Sequence, residues 1–256
     1  MTIYSWNMFF RNAEPERAFS FIAESAFDVF CLQEVPDSFL ERLKTLPVSV
    51  AHTTDVVRLF KEPTRNHLVI LSRYPIRGEG RVTFPDYWPT LPLRTRFFVR
   101  MMRPFHFSKI AERGGFFADI ETPAGLVRVF NLHLVLAHPR IRAEEFEAAL
   151  AERGGAKPIV VCGDFNILEA PHITPLNWLL GGRVSDAALA RRERTRIEAR
   201  FVEHGLENPL RGSRTHALSR SQLDHILVSR SFSIRNAEVI PARFGSDHHP
   251  IRVDIA

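Results

Sequence analysis

Short apolar runs that stop at polar side chains recur along this chain. The clearest runs from Ile159 to Cys162, stops at Gly163, and then presents Asp164 and Asn166. A short apolar run bounded by turn residues is typical of a buried β-strand. Asp and Asn are costly to bury without partners, so a pair of them just past such a strand has either a capping role or a chemical one.

Helix-like and strand-like patterns alternate along the first half of the chain. Residues 13–26 carry apolar side chains at helical spacing, residues 28–32 form an apolar run, and a second helical pattern opens at Pro36. Further on, a Thr-Pro-Ala-Gly turn signal separates the apolar runs 115–121 and 126–134, which predicts a β-hairpin. Alternation at these short intervals predicts an α/β layered domain.

Six of the apolar runs end in, or lie next to, an acid, an amide or an imidazole. Sheets gather such strand ends at one edge, so these side chains are expected to share a pocket. In chain order the six motifs are Trp6-Asn7, Leu32-Gln33-Glu34, Asn131-Leu132-His133-Leu134, Gly163-Asp164-Phe165-Asn166, Leu223-Asp224-His225 and Ser246-Asp247-His248.

A pocket of this composition suits the hydrolysis of phosphoesters. Carboxylate and amide oxygens are the ligands that Mg²⁺ or Mn²⁺ prefers, whereas zinc favours more His and Cys. A carboxylate can position or deprotonate the attacking water, and a His held by an Asp can bind a phosphoryl oxygen as a cation.

Composition indicates the class of protein, the number of domains and the kind of partner. The 256 residues are 45% hydrophobic and 25% charged, as in an ordinary soluble protein, and no polar linker or repeat divides them. We therefore expect one domain over residues 1–256. No run reaches the length of a membrane span, so a cytoplasmic protein is expected. The net charge of +5 suggests a polyanionic partner or an anionic surface.

The order of the six motifs resembles that of the endonuclease/exonuclease/phosphatase superfamily. This group includes DNase I, abasic-site endonucleases, neutral sphingomyelinases and inositol-polyphosphate 5-phosphatases. The match extends along the chain from Ser5-Trp6-Asn7 to Ser246-Asp247-His248. It implies a four-layer αββα sandwich with two packed mixed β-sheets.

The resemblance also implies the ligands of the metal ion. Glu34 matches the principal ligand of Mg²⁺ or Mn²⁺, Asn7 matches a second ligand, and Asp247 matches a group that contacts metal or phosphate. Asn131 matches a residue at the substrate site, where it is expected to brace the site more than to touch the substrate.

The catalytic groups are implied in the same way. Asp164 matches the residue that orients and deprotonates the nucleophilic water, and Asn166 matches the one that holds that water or the transition-state oxygen. His133 matches an imidazole that contacts phosphate. Asp224 matches the carboxylate that orients His248, which binds the scissile phosphate. Other histidines, including His225 and His216, are not expected to take part.

Two departures from the family pattern bear on the subfamily. Phe9 stands where abasic endonucleases usually have an acid. DNase I-like members also pair the His133 equivalent with an acid in the strand near Leu68, but the nearby residues are Asn66 and His67. The stretch from Leu68 to Ile76 instead resembles the broad bacterial branch of the superfamily, whose members vary widely in substrate.

Residues 94–113 carry arginines interleaved with phenylalanine and methionine, in a pattern that fits a helix, a flap or a loop. Four of these arginines are predicted to contact substrate: Arg94, Arg96, Arg100 and Arg103. Arginines with aromatics suit a nucleic-acid groove, and they equally suit an interfacial patch on an anionic membrane. An insertion packed on the core with solvated arginines is the third alternative.

The leading functional hypothesis is a Mg²⁺-dependent phosphodiesterase that acts on DNA or RNA. A phospholipid or sphingomyelin phosphodiesterase and an inositol-phosphate phosphatase are the alternative enzymes. A catalytically silent binding protein on the same fold is the alternative from another class, and the presence of every matching acid and imidazole argues against it. No protein partner is evident from the sequence.

Overall fold

The computed structural model describes residues 1–59, 63–86, 88–102, 108–109, 114–155, 157–182 and 192–256. The strands within these ranges are β1 (Thr2–Asn7), β2 (Val29–Pro36), β3 (Ser49–Leu59), β4 (Pro63–Ser72), β5 (Ile76–Thr83), β6 (Ser108–Lys109), β7 (Gly114–Thr122), β8 (Gly125–His133), β9 (Ile159–Asp164), β10 (Leu206–Glu207), β11 (Asp224–Ser229), β12 (Ile234–Val239) and β13 (Ile251–Ile255). The α-helices are α1 (Pro15–Glu24), α2 (Asp37–Leu43), α3 (Leu93–Met102), α4 (Pro139–Ala151), α5 (Thr174–Leu179) and α6 (Arg192–Glu203).

The strands form two mixed sheets. The first has the order β12-β13-β1-β2-β4-β3-β6, and the second has the order β10-β11-β9-β8-β7-β5. Parallel pairing joins β1 to β2 in the first sheet and β8 to β9 in the second, and the other neighbours are antiparallel. The predicted hairpin is confirmed as β7 and β8, which pair from Thr122 and Gly125 to Phe116 and Asn131.

The two sheets pack face to face between layers of helices. Apolar side chains of both sheets fill the space between them, including Cys31 and Cys162, which are both buried and free. The outer face of the first sheet is covered by α1 and α2, with Ile22 fully buried. The outer face of the second sheet is covered by α4 and α6 through Phe146 and Phe201. This is the αββα sandwich that the resemblance implies.

The polar strand ends meet at one end of the sandwich, which we call the polar edge. Asn7 at the end of β1 lies opposite Gln33 of β2. In the second sheet, Asp164 at the end of β9 pairs with His133 of β8 on one side and with Asp224 of β11 on the other. Parallel pairing of β8 with β9 places their carboxyl ends together, which is why residues distant in sequence share this edge.

Gly163 is required for the turn of the chain into the polar edge. Its φ is +141°, and a Cβ at this position would lie 1.8 Å from the carbonyl oxygen of Leu132. Only glycine allows the two strand backbones to approach this closely immediately before Asp164.

The Arg/Phe-rich segment contains a regular helix. Residues 93–102 form α3, and Ser108–Lys109 form β6, which pairs with the end of β3. Arg103 and the aromatic residues at 105 and 107 lie outside the described residues. No helix in the described part of the chain is both long and apolar enough to cross a membrane.

Candidate active site

Asp224 and His248 form a buried ion pair at the polar edge. The Oδ2 atom of Asp224 lies 2.9 Å from Nδ1 of His248, and both residues are almost fully buried. Burial alone would lower the pKa of His248, but the carboxylates of Asp224, Asp164 and Asp247 raise it to about 10. The imidazole is therefore a cation near neutral pH, and its Nδ1–H donates to Asp224. Its other nitrogen, Nε2, lies 3.8 Å from Asp164.

A second Asp–His pair lies on the other side of Asp164. The Oδ2 atom of Asp55 lies 2.7 Å from Nδ1 of His133, and Asp55 is fully buried. Burial would lower the pKa of His133, but Asp55 and the more distant Asp164 and Glu34 raise it to about 9. Its Nε2 lies 3.9 Å from Asp164 and 4.0 Å from Glu34.

The carboxylate partner of His133 comes from a strand other than the one near Leu68. The strand with Asn66 and His67, β4, does carry no suitable acid, and the partner comes from β3, the next strand. The pairing of β3 with β4 shifts register between Thr54 and Val56, so Asp55 occupies a β-bulge. A bulge re-aims one side chain within a strand, and here that side chain reaches His133.

Asp164 lies between the two imidazolium groups and is held by both of its oxygens. The Nδ2 atom of Asn7 donates to Oδ2 at 3.0 Å, and the backbone N–H of Asn166 donates to Oδ1 at 2.9 Å. Asn166 has a φ of +52°, and its Nδ2 donates to the carbonyl of Leu134. The carboxylate of Asp164 is therefore fixed in one orientation, with the imidazole nitrogens on both sides of it.

The predicted metal ligands Asn7 and Glu34 are joined by the turn that follows β1. The backbone N–H of Phe9 donates to Oδ1 of Asn7 at 3.0 Å, and the N–H of Phe10 donates to Oε2 of Glu34 at 3.2 Å. Phe9 and Glu34 both have positive φ values, of 59° and 56°. Left-handed backbone at two non-glycine residues is uncommon and marks a constrained site.

The side chains present fit a divalent cation with oxygen ligands. Among the described residues, one carboxylate oxygen in each of Asp55, Asp224 and Asp247 is buried without a hydrogen-bond partner. The carboxylates at this edge also outnumber the two imidazolium groups, so the site carries an excess of negative charge. Oxygen donors in excess of nearby cations suit Mg²⁺ or Mn²⁺.

Among the His, Cys, Asp and Glu residues that the structure describes, two groups of three bring possible ligand atoms within 4.8 Å of one another, namely His216, Asp247 and His248, and Asp164, Asp224 and His248. Of the three predicted ligands, only Asp247 belongs to either group. Glu34 lies beside His133, with its Oε1 4.0 Å from Nε2 of that ring.

His216 was not expected at the site, and the structure places it beside His248. The two ring centroids are 4.6 Å apart, and Nε2 of His216 lies 3.4 Å from Oδ2 of Asp247. The backbone N–H of Ser219 donates to Nδ1 of His216 at 3.1 Å, which assigns the proton of the neutral ring to Nε2. Burial would raise the pKa of Asp247, but this hydrogen bond and the charge of His248 lower it.

Asn131 bridges the two sheets beneath the site. Its Oδ1 accepts from Gln33 at 2.8 Å, and its Nδ2 donates to the carbonyls of Leu32 and Val69. Asn131 is fully buried, so its amide braces the sandwich. His225 lies on the other face of β11, where its ring stacks on Phe165 at 4.5 Å.

The predicted substrate-binding arginines are engaged within the chain where the structure describes them. Arg94 donates to the carbonyls of Trp178 and Gly182, and its guanidinium lies over the Trp178 ring. Arg96 donates to the carbonyls of Leu91 and Pro89. Arg100 is exposed, and Arg103 lies outside the described residues.

Comparisons with known proteins agree with this geometry. Residues 4–248 match the model of the Endonuclease/Exonuclease/phosphatase family. The fold is similar to an endonuclease/exonuclease/phosphatase from Beutenbergia cavernae, with TM-score 0.73 and 18% identity over 100% of this chain and 71% of that chain. No curated protein matches the sequence.

Two further solved structures carry more specific descriptions. A 3′ phosphatase, NExo, from Neisseria bound to product DNA hairpin has TM-score 0.62 and 18% identity over 100% of this chain and 99% of that one. A mannosyl-6-phosphatase from Bacteroides thetaiotaomicron has TM-score 0.58 and 18% identity over the same shares. At these identities the likeness shows the fold alone.

Proposed function

We propose that this chain, which belongs to the endonuclease/exonuclease/phosphatase family, is a metal-dependent phosphodiesterase that acts as one domain over residues 1–256. The observation that carries the proposal is the position of Asp164 between two Asp-paired histidines. The Nε2 atoms of His133 and His248 lie 3.9 and 3.8 Å from the same oxygen of Asp164. A general base with a fixed cation on either side suits attack of water on a tetrahedral phosphate.

Different side chains of this protein activate the water and bind the phosphate. Asp164 orients a water molecule and accepts its proton, while Asn7 and the N–H of Asn166 hold the carboxylate in place. The Nε2–H groups of His133 and His248 donate to phosphoryl oxygens as negative charge develops there. A donor placed in this way accelerates a reaction by about 10²–10³-fold.

A divalent cation belongs to this mechanism as a resident group. Glu34, Asn7 and Asp247 would hold Mg²⁺ or Mn²⁺, which supplies a Lewis acid for a phosphoryl oxygen. One buried oxygen of Asp247 accepts no hydrogen bond, which supports this assignment. His216 orients the other oxygen of the same carboxylate.

Two classes of phosphodiester are candidates for the substrate. Nucleic acid is supported by the net charge of +5 and by the DNA-bound relative from Neisseria. A phospholipid is supported by α3, where Arg94 and Arg96 donate to main-chain carbonyls while large apolar side chains face solvent. The phosphatase from Bacteroides adds phosphomonoesters of sugars as a third test.

The experiment is a substrate panel with Mg²⁺ and Mn²⁺. It contains plasmid, single-stranded DNA, abasic duplex, sphingomyelin, inositol phosphates, mannose 6-phosphate and the soluble diester bis(p-nitrophenyl) phosphate. Hydrolysis of at least one diester that stops in excess chelator is expected. Equal activity with chelator present, or no activity on any diester, would overturn the proposal.

A further inference from the structure

Exposed apolar side chains are concentrated at the polar edge. Of the eight large hydrophobic side chains that are exposed among the described residues, seven lie on segments that leave this edge: Trp88, Leu93, Phe97, Met101, Leu136, Trp178 and Leu218. The eighth, Val202, lies on α6 over the outer face of the second sheet. Scattered exposed hydrophobics are normal, but a concentration at one edge marks an interaction surface.

The strand pairings explain why these segments share the polar edge. Residues 84–113 join Thr83 of β5 to Gly114 of β7, which pair with each other at the end of the sheet near His133. Leu136 follows β8, Trp178 follows β9, and Leu218 precedes β11. All of these connections therefore leave the sheet where the candidate active site lies.

The apolar stripe of α3 is the largest part of this surface. Leu93, Phe97 and Met101 are spaced four residues apart, so they occupy one face of the helix, and they are 81%, 71% and 53% exposed. The opposite face is anchored, because Thr95 is buried and Arg94 and Arg96 donate to carbonyls of neighbouring segments. The stripe is thus held outward by a fixed helix.

The positive charge around the apolar stripe indicates what kind of partner it binds. Residues 88–111 contain no Asp or Glu, and the exposed Arg100 lies between Phe97 and Met101 along the helix. Half-exposed tryptophans beside aliphatic side chains and arginines are typical of elements that lie in a membrane interface. A second copy of this chain would bring arginine against arginine. A nucleic-acid groove would need guanidiniums free for phosphates, whereas Arg94 and Arg96 are used within the chain.

We propose that the polar edge docks on the surface of an anionic lipid bilayer through α3. Leu93, Phe97 and Met101 enter the boundary between headgroups and acyl chains, and Arg100 faces the anionic headgroups. Docking in this orientation brings the candidate active site to the plane of the lipid phosphates. The inference rests on the proposed function only for this last consequence, because the docking itself does not require hydrolysis.

The test measures binding of the full chain to vesicles of phosphatidylcholine with and without phosphatidylserine, by cosedimentation. The variant is Phe97→Ser with Met101→Ser, and the matched control is Val202→Ser, which removes an exposed apolar side chain away from the polar edge. Wild type and control are expected to bind the phosphatidylserine vesicles equally. The double variant is expected to bind at least about tenfold more weakly, because burial of each large apolar side chain in the bilayer strengthens binding about tenfold.

Hydrolysis of bis(p-nitrophenyl) phosphate, measured on the same samples, separates this inference from the proposed function. All three proteins are expected to hydrolyse this soluble diester at the same rate. No wild-type binding to phosphatidylserine vesicles would overturn the inference, as would equal binding by the double variant. Loss of DNA binding in the double variant, with no vesicle binding by wild type, would assign the surface to nucleic acid. If wild type binds the vesicles but does not hydrolyse the soluble diester, the result counts against the proposed phosphodiesterase activity and not against the docking.

Discussion

The Oδ2 atom of Asp55 lies 2.7 Å from Nδ1 of His133, and the residue that makes this contact sits in a β-bulge. The contact resembles the one between Asp224 and His248, in which Oδ2 of the carboxylate lies 2.9 Å from Nδ1 of the ring. Each buried carboxylate holds one imidazole as a cation with its Nε2 directed toward Asp164. The candidate active site is therefore built from two similar Asp–His pairs around one carboxylate.

We expect Asp55→Asn to lower kcat by about 10²–10⁴-fold, as other carboxylates that orient a histidine do. The amide cannot stabilise the imidazolium, so the pKa of His133 should fall from about 9 toward or below its ordinary value. Kinetics on a soluble diester and NMR titration of His133 measure the two effects together.

Asp37→Asn is the matched control for Asp55→Asn. The Oδ1 atom of Asp37 lies 2.8 Å from Nε2 of the buried His67, so the same change removes an Asp–His pair at the start of α2. Activity should stay near that of wild type in this control. If both variants lose activity equally, the effect of Asp55 is one of stability and not of catalysis.

Glu34→Gln should abolish hydrolysis and weaken binding of Mn²⁺, while the melting temperature stays close to that of wild type. The amide keeps the shape of the side chain and can still accept from the N–H of Phe10, but it removes the anionic ligand. Electron paramagnetic resonance of Mn²⁺ measures binding without reference to activity. Glu79→Gln, an exposed glutamate on β5, provides the control. Unchanged Mn²⁺ affinity would contradict the assignment of Glu34 as a ligand.

The losses from Asp224→Asn and His248→Gln should not add. Asp224 acts by orienting and charging His248, so once the imidazole is gone the carboxylate has no further role in the reaction. Each single variant is expected to lose about 10²–10⁴-fold in kcat, and the double variant about as much as the worse single one. A double variant whose loss equals the product of the single losses would show that the pair does not act as a unit.

Much of this site could be predicted from the sequence because it lies at strand ends. Asn7, His133 and Asp164 end strands that pair in parallel, and Asp224 begins a strand that pairs antiparallel with β9, so all four lie at one edge. Asp55 could not be predicted in this way. It lies within a strand, and a one-residue bulge leaves no signal in the alternation of apolar and polar residues.

Two other features depend on contacts that no local pattern encodes. His216 reaches Asp247 because its loop folds back on the chain before β13, with Ala217 donating to the carbonyl of Asp247. The arginines of α3 were expected to face a substrate, since the sequence shows their charge but not their direction. Arg94 turns instead to the carbonyls of Trp178 and Gly182, which belong to α5 and the turn after it.

His216→Leu should lower kcat and weaken Mn²⁺ binding, each by roughly 10–100-fold, as loss of a group that orients a metal ligand does. His216→Gln should retain much of both, because its Nε2 can donate to Asp247 as the imidazole Nε2–H does. The leucine variant also tests whether the ring matters only as packing against His248. If glutamine and leucine lose the same amount, the hydrogen bond to Asp247 is not what makes His216 important.

Acid should destabilise the fold through His225, a buried histidine away from the reaction. Its Nδ1–H donates to the carbonyl of Leu223 at 2.9 Å, and its Nε2 accepts from Arg194 at 2.7 Å, so the folded state holds the neutral ring. Burial, and then the charge of Arg194, put the pKa of His225 well below its ordinary value. Below about pH 6.5 the unfolded chain binds a proton at this position that the folded chain does not bind.

The free energy of unfolding should therefore fall as pH drops below about 6.5, by up to about 1.4 kcal/mol per pH unit from this group. His133 and His248 act in the opposite sense, since their raised pKa values stabilise the fold fully below about pH 6.5, and this effect is lost as pH rises from there to 9 or 10. Their contribution cancels when wild type is compared with His225→Phe, which keeps an aromatic ring against Phe165. From pH 7.5 to 5.5, the free energy of unfolding measured in urea should change less favourably in wild type than in the variant. Equal changes in the two proteins would mean that His225 is not the group that titrates.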